Sequence, residues 1–308
     1  MRQTFSGPAH AIIAGTAKAA TSSVFSYLSS HPEICGSSIK ETAFFLNDCS
    51  GNHAEVMKQY LKYFTHCKPD AKFFLEASPG YLAHGSVVAG RIRELIPDAR
   101  LLFILRDPVD RLYSYYHFHT TQLTGDFDTS LSFEEFVDLC MGFASGQAPI
   151  SKTTMNVRHF RALEIGRYAE YLKEFFQLFP RERIHVLYYE HLNDDVRGSL
   201  SRLCAFLGVD HRFYDTYQFK RVNVTFSARI KPLHVLALAV NRSLERYLRQ
   251  RPHIKSKLVD LYSKFNRKRA GYPPMPDPLR GRLLEFYRES NRALAALLDG
   301  EQNASWVG

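Results

Sequence analysis

Short apolar runs alternate with amphipathic stretches along most of this chain. The apolar runs predict buried strands at residues 11–14, 72–75, 101–105 and 184–189. The amphipathic stretches predict helices at residues 21–30, 54–64, 86–95, 109–119, 132–141, 168–179, 196–207 and 278–298. Because strands that alternate with helices form parallel sheets, we expect an α/β fold with a mostly parallel central sheet flanked by helices.

The size of the chain fits a single domain. With 308 residues, of which 45% are hydrophobic, the chain can bury a sizeable core. No linker rich in Gly, Ser or Pro divides it, and no internal repeat is present. We therefore predict one domain over residues 1–308, with a mainly helical part from about residue 230 to 308.

The first predicted strand ends in a loop of small residues that holds one lysine, Lys18, before a helix that opens with Thr21 and Ser22. Small side chains let backbone amides approach an anion, and a helix N-terminus adds partial positive charge. The segment therefore predicts an anion site. A solvent-facing lysine in an ordinary strand-turn-helix unit is the alternative.

This loop departs from the Walker A pattern, which places its lysine directly after the second glycine. Lys18 lies only three positions after Gly15, and two alanines separate it from Thr21. A loop this short suits a single phosphate better than a triphosphate.

A second strand-to-helix junction follows the apolar run 101–105. Arg106 stands where this strand ends, Asp107 is a candidate N-cap, and Pro108 suits the first turn of a helix. Open α/β sheets bind ligands at the carboxyl edge of their strands, so Arg106 and Ser114 could hold a second phosphate. An ion pair between Arg106 and a nearby aspartate is the alternative.

In their order and spacing, these junctions resemble those of sulfotransferases that use 3′-phosphoadenosine 5′-phosphosulfate (PAPS). Residues 30–34, 40–45, 166–172 and 183–190 are similar to further segments of the bacterial and carbohydrate members, the heparan-sulfate-sulfotransferase-like branch. The resemblance covers most of residues 10–210. It implies a P-loop-like three-layer fold and PAPS as co-substrate. We expect no required metal, because a sulfuryl group carries less charge than a phosphoryl group and the sequence has no acidic cluster of the Walker B type.

The resemblance also assigns the cofactor-binding residues. The residues that bind the 5′-phosphosulfate would be Lys18, Ala19, Ala20, Thr21 and Ser22. The 3′-phosphate would be bound by Arg106 and Ser114. Further members of the cofactor-binding set would be Tyr168, Lys220 and Arg221. Ala20 departs from the family, which usually has glycine there. Alanine is costly at this position if the backbone needs a positive φ.

The resemblance points to Glu41 as the base that takes the proton of the acceptor, with Lys18 stabilising charge on the leaving phosphate. Glu76, at the end of another buried strand, is the second candidate for the base or an assistant to Glu41. A surface glutamate without a catalytic role is the alternative for Glu41. Family members often carry a lysine at the position of Ala77 or a catalytic histidine nearby, and this chain has neither.

The charge of the chain is uneven. The formal net charge is +9, and residues 241–270 hold ten Lys and Arg against two acidic residues, a local balance of +8. This segment could meet an anionic surface, or it could be a solvated helical face. We expect no nucleic acid as partner, because no recognised nucleic-acid-binding motif accompanies the charge.

Five cysteines at wide spacing favour reduced thiols, and we expect that Cys49 and Cys67 do not pair. No apolar run is long enough to span a bilayer. The sequence thus favours a cytoplasmic bacterial enzyme, with a Golgi-lumenal catalytic domain lacking its anchor as the alternative.

The predicted function is transfer of a sulfuryl group from PAPS to a hydroxyl, on a carbohydrate, a glycolipid or another acceptor. A nucleotide-dependent kinase is one alternative, which ATP and magnesium binding would favour. A nucleotide-binding protein without turnover is the other.

Overall fold

The structure is a computed structural model that describes residues 7–122, 126–147, 155–219, 226–228, 267–269, 272–298 and 304–307. Its centre is a five-stranded sheet in the order β2-β3-β1-β4-β5, in which every pair of neighbours is parallel. The strands are β1 (Ala9–Gly15), β2 (Ile34–Gly36), β3 (Phe73–Ala77), β4 (Arg100–Leu105) and β5 (Ile184–Tyr188). The predicted parallel α/β sheet is confirmed.

Within the described residues, all eight predicted helices are present, together with two short helices that were not predicted. The helices are α1 (Thr21–Ser29), α2 (His53–Leu61), α3 (Gly85–Leu95), α4 (Pro108–Gln122), α5 (Phe133–Ala144), α6 (Val157–Phe160), α7 (Tyr168–Leu178), α8 (Tyr189–Asp194), α9 (Val196–Leu207) and α10 (Asp277–Leu297). Among the helices of the described segments, none is both long enough and apolar enough to cross a bilayer.

The sheet separates two hydrophobic cores. Alternate residues of a strand point to opposite faces, so Ile12 packs into the core under α2, α3 and α7, while Ile13 packs into the core under α1 and α9. Both side chains are fully buried. The result is the three-layer arrangement that the sequence predicts, with helices on both faces of the sheet.

A third apolar cluster supports α4, the helix that leaves the sheet at Arg106. Val109 and Leu112 of α4 pack in it with Phe136 of α5, Phe160 of α6 and Leu283 of α10. Helix α10 therefore packs in the same apolar cluster as α4.

Three strands of the described segments were not predicted. β2 has only three residues, too few for a periodic signal. β6 (Phe226–Ala228) and β7 (Arg267–Arg269) form a separate antiparallel pair. Apart from β7, the basic segment 241–270 lies outside the described residues, as do Lys220 and Arg221.

The expectation of reduced thiols is wrong for two cysteines. Cys35 of β2 forms a disulfide with Cys67, which follows α2 in the chain. Cys49, Cys140 and Cys204 are free, so Cys49 does not pair with Cys67, as expected. The sheet places β2 at its edge, and this brings Cys35 close to a cysteine 32 positions away.

Candidate active site

The loop after β1 has the form of an anion site. Lys18 and Ala20 have positive φ angles of 73° and 60°. The next residue, Thr21, begins α1, whose N-terminus has neither a side-chain cap nor an acidic residue in its first turn. An uncapped helix start leaves backbone amides and partial positive charge free to meet an anion.

The φ angle of Ala20 is positive, which is the condition under which alanine is costlier than glycine at this position. An L-residue in the left-handed region costs about 1–2 kcal/mol relative to a right-handed conformation. Ala20 therefore keeps the backbone shape that glycine gives more cheaply. Its carbonyl accepts from Ser23 N at 2.9 Å, which fixes the loop to the first turn of α1.

Lys18 lies among groups of both charges. Its Nζ is 3.7 Å from the centroid of the Phe118 ring on α4. Burial, followed by the charge of Arg106, lowers the pKa of Lys18 to about 8, and the nearby charge of Glu41 opposes this shift. An anion placed beside Lys18 would raise this pKa again, because it favours the charged form.

Arg106 connects the second junction to the first. Its Nη1 donates to the carbonyl oxygen of Lys18 at 3.1 Å, and its guanidinium lies over the ring of Tyr189 at 4.7 Å. Asp107 is the N-cap, as predicted, and accepts from the backbone amides of residues 109 and 110. Asp110 pairs with Arg280 at 2.6 Å. The two nearby aspartates are thus engaged elsewhere, in a cap and an ion pair.

Two other members of the predicted cofactor set support this junction. The buried Tyr168 donates its hydroxyl to the carbonyl oxygen of Arg106 at 2.8 Å, which holds the turn between β4 and α4. Ser114 is buried on α4, with its Oγ 3.4 Å from the hydroxyl of Tyr272.

Glu41 stands at the same edge of the sheet on the segment that follows β2. Its backbone N–H donates to the carbonyl oxygen of Ala77, at the end of β3, at 2.8 Å. Its φ is 63°, and its side chain is 62% exposed, with Lys40 Nζ at 2.6 Å from a carboxylate oxygen. Glu41 therefore faces solvent and the charge of Lys18, where an acceptor could approach.

Glu76 differs sharply from Glu41. Its side chain is fully buried on β3, where burial raises its pKa against the opposing effect of four hydroxyl donors. Those donors are Thr42, Tyr60, Ser78 and Tyr81. The carboxylate is thus enclosed under the segment that carries Glu41, and it does not face an acceptor directly.

Sequence reasoning missed Phe118 and Glu190. Phe118 lies under Lys18, and Glu190 accepts the backbone N–H of Asp107 at 3.0 Å. Glu190 follows β5, so the rule that ligands meet the carboxyl edge of the sheet could have indicated it. No comparable signal in the sequence links Phe118 to the loop after β1.

A further group of possible metal ligands includes Cys35 of β2. Donor atoms of Cys35, His66 and Cys67 lie within 4.8 Å of one another, the one such cluster among the described residues. Two of the three donors are joined in the disulfide, so this group does not offer a set of thiolates in the structure.

The fold and the loops together define the class of protein. A parallel sheet with helices on both faces carries a strand-loop-helix unit with an uncapped helix start, Arg106 donates to the Lys18 carbonyl oxygen there, and the charge of Glu41 acts on Lys18. This is the architecture of a P-loop-like protein, and open α/β sheets of this kind bind their ligands at the carboxyl edge of the strands.

Comparison with known proteins identifies the family. The model of the sulfotransferase domain family matches residues 8–224, and the chain belongs to that family. A solved sulfotransferase from Alicyclobacillus acidocaldarius has the same fold, with a TM-score of 0.62, 24% identity, and coverage of 97% of this chain and 98% of that one.

Several curated relatives are named as enzymes of heparan sulfate. The chain is 24% identical over 304 residues to the Homo sapiens bifunctional heparan sulfate N-deacetylase/N-sulfotransferase 3, covering 96% of this chain but only 31% of that protein. It is 25% identical over 288 residues to the Homo sapiens heparan sulfate glucosamine 3-O-sulfotransferase 6, covering 92% and 69%. The chain thus spans about a third of the first relative.

Proposed function

We propose that this chain transfers the sulfuryl group of PAPS to an acceptor hydroxyl, with Glu41 as the base. The observation that carries the proposal is the grouping of charges near the uncapped start of α1, where Arg106 donates to the Lys18 carbonyl oxygen and the charge of Glu41 acts on Lys18. Two cations and a helix N-terminus suit an anionic donor, and an exposed carboxylate beside them suits an acceptor proton. Membership of the sulfotransferase domain family supports PAPS as the donor.

The loop residues fit the phosphosulfate by their size and position. Lys18, Ala19, Ala20, Thr21 and Ser22 would surround it with backbone amides, two hydroxyls and one ammonium. Arg106 and Ser114 would hold the 3′-phosphate, and Tyr168 would keep the turn of Arg106 in place. Lys220 and Arg221 stay predicted members of this set.

The chemistry is an in-line exchange of one S–O bond for another. PAPS supplies a sulfuryl group attached through a good leaving group, the 5′-phosphate. The acceptor hydroxyl forms a bond to sulfur and loses its proton to Glu41, while the bond between sulfur and the bridging oxygen breaks. Lys18 stabilises the negative charge that develops on that oxygen. The products are a sulfate ester, 3′-phosphoadenosine 5′-phosphate (PAP) and a proton.

The proposed acceptor is a carbohydrate or a glycolipid. The relatives named above are enzymes of heparan sulfate, which supports a carbohydrate acceptor. One of them is named for transfer to nitrogen and the other for transfer to oxygen, so the test includes acceptors of both kinds. Labelled sulfate from PAPS would be followed into a glycosaminoglycan series with and without free amines, into a glycolipid and into a small phenol.

We propose an oxidising compartment for the chain. Disulfides persist in such compartments and are rare in the cytoplasm of ordinary cells. The bond between Cys35 and Cys67 therefore supports a lumenal or extracellular location over the cytoplasmic one that the sequence favoured.

The first test of the cofactor is calorimetric titration with PAP, and with ATP in the presence and absence of magnesium. Wild type should bind PAP without magnesium, and Lys18→Ala should lose that binding. Lys58→Ala, a change of an exposed lysine on α2, is the matched control and should bind normally. A preference for magnesium-ATP would favour a kinase, and absence of nucleotide binding would overturn the proposal.

The test of the base is Glu41→Gln, with Glu55→Gln as the control at an exposed glutamate of α2. Loss of a positioned base should lower the transfer rate by a factor on the order of 10² to 10⁴, with PAP affinity kept. Full activity in Glu41→Gln would exclude this role. Tight PAP binding without any transfer to the acceptor series would favour a binding protein without turnover.

A further inference from the structure

The buried carboxylate of Glu76 is the centre of a polar network inside an apolar core. Within the described residues, its partners are four hydroxyl groups and no cation. Ser78 and Tyr81 donate to Oε1 at 2.8 and 2.6 Å, Thr42 also donates to Oε1, and Tyr60 donates to Oε2 at 3.2 Å. Every one of these contacts uses Glu76 as an acceptor, which is what an ionised carboxylate requires.

Three of these hydroxyls have a second contact, and all three contacts go to one segment of backbone. The N–H of Ala43 donates to Ser78 Oγ at 3.0 Å, that of Phe44 to Thr42 Oγ1 at 3.2 Å, and that of Phe45 to the Tyr81 hydroxyl at 3.1 Å. Residues 43, 44 and 45 are consecutive and begin two positions after Glu41.

The directions of these hydrogen bonds depend on Glu76. A hydroxyl has one proton, and when that proton is given to the carboxylate, its lone pairs remain free to accept a backbone N–H. Glu76 thereby orients three hydroxyls as acceptors at once. A neutral side chain in its place would let them rotate and would weaken their hold on the three amides.

The segment held in this way has a strained backbone. Glu41 and Ala43 have positive φ angles of 63° and 53°, on either side of Thr42. Non-glycine residues keep such angles only where surrounding contacts enforce them. The three amide contacts, together with the bond from Glu41 N to the Ala77 carbonyl oxygen, supply that enforcement.

We infer that Glu76 is a positioning residue, which acts through Thr42, Ser78 and Tyr81 to hold the Glu41 segment against the loop of Lys18. The inference rests on the proposed function, in which Glu41 is the base. It gives Glu76 a role in the reaction that does not require contact with the acceptor. The donor site lies on a different loop and is expected to be independent of this network.

The main experiment compares Glu76→Gln with wild type in three measurements: kcat, PAP affinity and amide hydrogen exchange of residues 41–46. Glutamine keeps the size of the side chain, but its amide N–H groups would face hydroxyls that donate to the carboxylate in the wild type. We expect kcat to fall about 10- to 100-fold, because a small misplacement of a catalytic group costs this much. PAP affinity should stay within about twofold, and exchange of residues 43–45 should rise.

Two further variants test whether Glu76 affects kcat through the hydroxyl groups that donate to it. Thr42→Val removes one hydroxyl at nearly constant size and should lower kcat while PAP affinity is kept. Tyr63→Phe removes a tyrosine hydroxyl outside the four donors, on a ring that contacts Phe44, and should leave kcat unchanged. If Glu76→Gln fails to fold, Thr42→Val still decides the question, since unchanged kcat and unchanged exchange in that variant would overturn the inference.

The double variant Glu41→Gln/Glu76→Gln separates this inference from the proposed function. If Glu76 acts through Glu41, the double variant should be no slower than Glu41→Gln alone. Additive losses would mean that Glu76 acts on the reaction by another route. If Glu41→Gln is fully active while exchange of residues 43–45 still rises in Glu76→Gln, the base assignment fails and the positioning network stands. Unchanged exchange in Glu76→Gln would refute the network itself.

Discussion

The lowered pKa of Lys18 makes nucleotide affinity dependent on pH in a range where the nucleotide itself does not change. The ammonium form of Lys18 is the one that attracts a phosphate. In the free protein, burial and Arg106 lower the pKa of Lys18 to about 8, so the ammonium form is lost as the pH rises through that value. PAP affinity should therefore fall at alkaline pH.

The magnitude follows from the fraction of protein that carries the ammonium form. Apparent affinity falls in proportion to the competent fraction, so a group with a pKa near 8 gives a loss of about tenfold between pH 7 and pH 9. Phosphate groups have their second pKa near 6, so the charge of PAP is almost constant over this range. The bound anion favours the ammonium, and binding near pH 8 should take up about half a proton.

The assay is calorimetric titration with PAP from pH 7 to pH 9.5, repeated at pH 8 in buffers of different ionisation enthalpy to count the protons. Lys18→Arg is the matched variant. Arginine keeps its charge throughout this range, so the pH dependence should disappear even if the affinity is lower. Constant wild-type affinity from pH 7 to pH 9.5 would refute the reasoning, and so would an equal slope in Lys18→Arg.

Three further changes test the loop, the disulfide and the second junction. Ala20→Gly should raise the free energy of unfolding by about 0.5–1 kcal/mol in denaturant titration, because glycine accepts the positive φ at smaller cost. Cys35→Ser should lower it by about 3–4 kcal/mol, the loop entropy of a crosslink over 32 positions, while Cys49→Ser should change it little. Tyr168→Phe removes the hydroxyl that holds the Arg106 carbonyl and should weaken PAP binding about fivefold by calorimetry, the value of one hydrogen bond.

The sheet and its helices could be predicted because their signals are local. An apolar run such as 101–105 needs no knowledge of its neighbours to indicate a buried strand, and Asp107 before Pro108 indicates a helix start by itself. β2 could not be predicted in this way, since a three-residue strand contains no period. The disulfide depended on β2, because only the position of that strand at the sheet edge brings Cys35 to its partner.

The candidate site was predictable to the extent that it follows the topology. Lys18, Arg106 and Glu41 follow three different strands, and parallel strands bring their carboxyl ends to one edge. Contacts between loops could not be predicted from the sequence. The ring of Phe118 under Lys18 depends on the angle at which α4 leaves the sheet. The enclosure of Glu76 depends on hydroxyls from three separate segments, so its strand position suggested a catalytic role that its burial does not support.

The distribution of backbone strain supports a functional role for these loops. Within the described segments, the non-glycine residues with positive φ are Lys18, Ala20, Glu41 and Ala43. Two of them lie in the loop before the uncapped start of α1, two lie in the segment of Glu41, whose charge acts on Lys18, and none lies elsewhere in that part of the chain. Each such residue costs about 1–2 kcal/mol, which a protein selected for stability alone would avoid by using glycine.

Alanine in two of these positions keeps the shape of the backbone while limiting the mobility that glycine would bring. A transfer reaction needs that rigidity to align donor and acceptor. Ala20→Gly should therefore increase stability and lower kcat, and a variant that gains in both would show that the strain has no part in the reaction.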